Sequence, residues 1–126
     1  MSLDYCTGTL LAIPSLASAQ HWSAEETEVL EALNACLRAE VDKDMQAELD
    51  CAHEDFIGWR NDLPALRDNA FHDGNVRRMY ETGGHMIGFS VQPLSVRVYG
   101  DIAIIHYDAY YYYRRNNGED YSQRSR

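Results

Sequence analysis

Basic residues are scarce in this chain. Eleven Lys and Arg stand against twenty Asp and Glu in 126 residues, a formal net charge of −9. Nucleic-acid backbones and anionic membrane surfaces are poor partners for such a chain, because both reward clustered Lys and Arg. Cysteine is scarce too. Cys6, Cys36 and Cys51 include no C-x-x-C pair and no zinc-type spacing, so neither a disulfide framework nor a zinc ribbon is indicated. They read first as small buried hydrophobes. No apolar run approaches the roughly 18 residues of a membrane-spanning helix. A glycine-rich phosphate loop is missing, since Gly83-Gly84 ends a helical pattern where such a loop would begin one. No G-x-S-x-G occurs, which removes the hydrolase nucleophile elbow. What is present is a 45% hydrophobic share, ordinary for a folded domain and too high for wholesale disorder. The length suits one domain with a single core.

Residues 7–19, TGTLLAIPSLASA, read as a leader. A short apolar stretch precedes Ala17-Ser18-Ala19, the small-residue pattern of a signal-peptidase site. On that reading residues 1–19 are removed and the chain is exported, to a periplasm or beyond. Asp4, with no Lys or Arg near it, departs from the pattern. The other reading makes 1–19 a disordered arm of a cytoplasmic protein. Removal of Cys6 would leave Cys36 and Cys51 as an even pair, to which a disulfide is then open.

Ser23-Ala24-Glu25-Glu26 is a capping box opening a helix over 24–42. Val29, Leu33, Cys36, Leu37 and Val41 recur at three and four and form its apolar face. Asp44 caps a second helix at 45–52, with Met45, Leu49 and Ala52 buried. Phe56–Trp59 is a short strand and Asn61-Asp62-Leu63-Pro64 a loop. Residues 65–82 are expected as helical turns interrupted at Gly74 and ended by Gly83-Gly84. A strand follows over 85–99, with Pro93 marking a bulge or an edge. Gly100-Asp101 turns it into a strand over 102–114, and Asn117-Gly118 turns that into a third strand near Glu119. Helices first and strands later mean an α+β fold. The third strand would lie unpaired at an edge. A fragment is therefore expected, or a sheet that a partner completes.

Two segments carry a family resemblance. His53-Glu54-Asp55-Phe56-Ile57-Gly58-Trp59 is similar to an H-x-D-F-x-G-W motif, and Leu94–Tyr107 to a hairpin L-x-x-R-V-x-G-D-x-A-x-x-x-Y. Both resemble the SnoaL-like branch of the nuclear transport factor 2 and ketosteroid isomerase superfamily. The resemblance covers 22–126 and implies a cone: N-terminal helices packed on a curved antiparallel sheet, with a pocket between them. It also implies that the last strands are missing, because family members continue past the position of Arg126. The isomerase chemistry is not implied. By ungapped count, Cys36 and Arg60 stand where that family places a Tyr and a carboxylate base.

His106, Asp108, Tyr110 and Tyr112 share one face of their strand, and Ala103, Ile105, Tyr107, Ala109, Tyr111 and Tyr113 the other. Ungapped comparison with the isomerase turns the His106 face into the cone and leaves the other as a convex dimer surface. A carboxylate beside an imidazole orients its tautomer and favours its charged form, so His106/Asp108 is the candidate acid–base pair. The plainer reading of the same pair is a polar contact shaping the pocket, or an exposed pair if the facing is the reverse. Trp59, Tyr110 and Tyr112 are candidate ligand-stacking residues and Arg97 a candidate carboxylate anchor. Packing of Trp59 at the rim and a surface ion pair for Arg97 are the plainer alternatives. His53-x-Asp55, His106-x-Asp108 and His85 match no recognised metal spacing, and no metal or cofactor is expected. Three functions compete: binding of a small apolar or aromatic molecule, a small-molecule enzyme using His106/Asp108, and a homodimerising interaction domain. Fold alone does not choose among them.

Overall fold

A computed structural model describes residues 20–59 and 64–126. The leader reading, Cys6, Arg60 and the loop reading at 61–63 lie outside the described residues. Helix α1 (Ala24–Asp42) begins where the capping box predicts. The Ser23 amide donates to Glu26 Oε2 at 2.9 Å, and Ser23 Oγ accepts from the Glu26 amide at 3.1 Å. Helix α2 (Met45–Asp50) is capped by Asp44, which accepts from the Ala47 amide. Two short strands, β1 (Ile57–Gly58) and β2 (Arg67–Asp68), pair antiparallel. The sequence pattern offered β1 and concealed β2, since two residues are too few to show alternation.

Helix α3 (Asn69–Thr82) starts four residues later than expected, because Asp68 accepts from the Phe71 amide at 2.9 Å and caps it there. It runs unbroken through the exposed Gly74, so the expected interruption is not present; a lone helical glycine costs only about 1 kcal/mol. Gly83 ends the helix at φ 79°, a left-handed conformation that a side chain would strain.

Strands β3 (His85–Tyr99), β4 (Ile102–Arg114) and β5 (Asp120–Ser125) form an antiparallel meander with β4 in the centre. Register shifts fall between Met86 and Gly88 and between Pro93 and Ser95. The second is the bulge that Pro93 announces, on a strand paired on one side only. Helix α1 packs on β3, α2 on α1, and α3 on α2. Leu30, Ala39, Leu49, Val76, Met86, Val96 and Ala109 are the buried apolar residues among those described.

This packing reverses the expected facing of β4. Ala109 is fully buried, Ile105, Tyr107, Tyr111 and Tyr113 are half-buried, and His106, Tyr110 and Tyr112 are exposed. Phe89, Val91 and Val96 stand opposite Tyr111, Ala109 and Ile105, and Arg38 of α1 lies over the Phe89 ring. The Tyr111 face therefore meets the helices. A side-chain period of two makes facing vulnerable to any one-residue offset, which an ungapped comparison does not correct. Cys36 and Cys51 correct a second expectation. They are joined in a disulfide, Cα to Cα 5.9 Å, that ties α1 to the end of α2; they are not free apolar packing residues.

Candidate functional site

Glu40 and Glu48, two half-buried carboxyls, come from the helices. Glu40 lies in the last turn of α1 and Glu48 in α2, and the disulfide holds these two helices together. Glu40 is half-buried, and its pKa is raised from 4.5 to about 7. Loss of water around the carboxylate is the main cause, and the neighbouring charge of Glu48 adds to it.

Glu48 is likewise raised by burial, and Tyr80 of α3 opposes the shift by donating its hydroxyl to Glu48 Oε2 at 3.0 Å. The same bond, with burial as the larger cause, holds the Tyr80 phenol far above its ordinary range. From the sheet, Tyr111 is raised too, by burial first and then by its hydrogen bond with Tyr107; the charge of Glu40 contributes. Glu40, Glu48, Tyr80 and Tyr111 are thus each partly dehydrated, and the charge of Glu40 reaches both phenols.

A cavity of about 50 Å³ is walled by Glu40 and Tyr80 of this cluster, with Lys43, Gly83 and the trio Met79, Gly84 and His85; Glu48 lies behind Tyr80 and does not line it. That is room for one or two waters or for the reacting end of a ligand. The trio also walls an open groove of about 430 Å³ between the end of α3 and the ends of β4 and β5. The groove is in the size range of ligand pockets, roughly 300–1,000 Å³.

The residues singled out from sequence lie elsewhere. Asp108 is held on the outer sheet face by Arg126 at 2.8 Å and Arg124 at 3.4 Å, and Arg124 also stacks over Tyr110. No hydrogen bond joins His106 to Asp108 among the described residues. Tyr112 lines a separate, more open depression of about 480 Å³ with Ile87, Gly88 and Ser122. Trp59 is 64% exposed beside β1. Arg97 reaches Glu26 at 3.9 Å, tying β3 to the start of α1. His53, Glu54 and Asp55 bring three donor atoms within 4.8 Å of one another, all on exposed side chains. Of the residues weighed from sequence, His85 lines both the cavity and the groove, and none of the candidate catalytic or ligand-binding residues does.

Glu40 carries a sequence signal of its own. It follows Cys36 by four and Leu37 by three, so a charged residue sits inside the apolar stripe of α1. Glu48 and Tyr80 carry no such mark, because their meeting depends on how α2 and α3 pack.

Removing the Tyr80 hydroxyl tests the cluster. Tyr80→Phe is expected to cost about 1 kcal/mol, because Glu48 loses its donor in a half-buried setting. The loss should be greater at alkaline than at acidic pH, since the bond favours ionised Glu48. Urea unfolding at both pH values measures it.

No protein-family model and no curated protein matches the sequence. Among solved structures, the chain is similar to an LEH-like epoxide hydrolase from M. tuberculosis, with a TM-score of 0.55 and 16% identity, over 82% of this chain and 69% of that one. That likeness is one of fold. With the helices seated on an antiparallel meander, the chain has the cone-shaped α+β fold of the nuclear transport factor 2-like proteins.

Proposed function

We propose that this chain is a small-molecule enzyme that moves protons with Glu40 and Glu48 inside the cone. The observation that carries the reading is a half-buried Glu40 with a pKa of about 7, next to a second carboxyl that accepts from Tyr80. A carboxyl poised near neutrality is populated in both protonation states and can serve as acid or base. Two carboxyls in unlike environments suit opposite roles.

Addition of water to an epoxide is the reaction to test first, prompted by the name of the structural neighbour. In that reaction neutral Glu40 gives its proton to the ring oxygen as the C–O bond breaks. Ionised Glu48, which does not itself wall the cavity, takes a proton relayed through the Tyr80 hydroxyl from the water whose oxygen bonds to the opened carbon. Return of that proton from Glu48 to Glu40 closes the cycle, and the product is a diol. The groove would hold the body of an apolar or aromatic substrate, and the small cavity its reacting end.

The purified chain should convert some member of a panel of aliphatic and aryl epoxides to diols, with incorporation of labelled water oxygen. Failure across the panel, with the fold intact, contradicts the hydrolytic reading. Saturable uptake without turnover would leave a binding module.

A further inference from the structure

The groove beside the carboxyl cluster has an unusual charge composition. Its wall includes Arg78, Arg114, Arg115 and His85. Three of the chain's 11 Lys and Arg are gathered here, and among the described residues none of its 20 Asp and Glu lines the groove. An even scatter of charge in so acidic a chain would put more carboxylates than guanidiniums on this wall. Arg114 is neutralised from outside the groove by Asp120, through bonds of 2.7 and 3.0 Å. Arg78 and Arg115 are not: among the described residues neither has a carboxylate within ion-pair distance. Arg78 donates to the Asn75 amide oxygen at 2.8 Å, and Arg115 lies 4.7 Å over the Tyr121 ring.

The remaining wall is flat and aromatic. Tyr121 stacks on Tyr113 with ring centroids 5.2 Å apart and planes 18° from parallel, and Met79 completes the apolar side. Guanidiniums present forked donors to a carboxylate, and, with Tyr113 and Arg115 both over the Tyr121 ring, a planar ligand ring packs against the phenol edges and Met79. We infer that this groove binds a small aromatic carboxylate, its ring against Tyr113 and Tyr121 and its anionic group between Arg78 and Arg115. The site stands on the groove alone. Binding is read without turnover, so a failed epoxide assay leaves it intact, and a failed binding assay leaves the acid–base reading intact.

Calorimetric titration of the full chain with 2-naphthoate, 2-naphthamide and inorganic phosphate tests the inference. Naphthoate should bind one to one, about tenfold or more tighter than the neutral amide, as the loss of a charge-assisted pair implies. Arg78→Gln with Arg115→Gln should erase that preference while leaving the circular dichroism unchanged, both side chains being exposed. Added salt should weaken naphthoate and leave the amide unaffected. Equal binding of naphthoate and naphthamide would overturn the inference. So would naphthoate binding that survives the double substitution, binding of phosphate but not naphthoate, or no saturable binding at all. The amide comparison uses the unaltered chain, so the test does not depend on the variants folding.

Discussion

Glu40→Gln should make this protein more stable and less active at once. The sign follows from the direction of the shift. In the folded chain the carboxyl titrates at about 7, against 4.5 in water, so the folded state binds the proton more tightly than the unfolded state does. Folding stability therefore falls as pH rises through that window and levels off above it. A glutamine matches the neutral carboxyl in shape and does not titrate. Wild type and variant should be about equally stable below the window. By about pH 8 the variant should lead by on the order of 3 kcal/mol, from the size of the shift at about 1.4 kcal/mol per unit. Urea midpoints across the pH range measure the difference. Turnover by the same variant should fall by about 10²–10⁴-fold, the usual worth of a general acid or base. A gain in stability joined to a loss of activity is the mark of a group kept for function against its cost to the fold. Equal stability at every pH would mean that the carboxyl is hydrated.

Reduction of the Cys36–Cys51 disulfide should have an effect of similar size and opposite sign. The bond closes a loop across 15 residues, which in the chain-entropy account stabilises by about 3 kcal/mol. A chain of this size loses roughly 1–3 kcal/mol per molar urea, so the midpoint should drop by about 1–3 M. Cys36→Ser with Cys51→Ser should reproduce the loss and make the protein indifferent to reductant. The site should respond as well. The bond fixes α2 on α1 and so keeps Glu48 near Glu40. Releasing it admits water between the helices and lowers the Glu40 pKa toward 4.5, shrinking the pH dependence described above. An unchanged midpoint in reductant would show that packing alone holds α2 in place.

Much of the fold was legible because its signals are local. The capping box set the start of α1, Pro93 marked the bulge in β3, and Gly100-Asp101 and Asn117-Gly118 delimited the meander. The element order, with two sequence segments, pointed to the cone. Long-range relations were less legible. Strand β2 is too short to announce itself. The facing of β4 was assigned through an ungapped comparison, and the packing of Phe89, Val91 and Val96 against the helices decides it the other way. The disulfide depends on how α1 and α2 lie together, which spacing leaves open. The site was missed for the same reason. His106 and Asp108 are neighbours on a strand and drew notice, while Glu48 and Tyr80 lie 32 residues apart and meet only in the folded chain. Glu40 was the exception, a charge inside an apolar stripe.

The central claim is that the cone interior holds a carboxyl poised for proton transfer. Titration of the Glu40 side-chain carboxyl by carbon-detected NMR, assigned with Glu40→Gln, tests it most directly. The structure predicts a midpoint of about 7, with Glu48 also above its ordinary value. A Glu40 midpoint at 4.5, the value of a carboxyl in water, would contradict the account and remove the acid–base site with it.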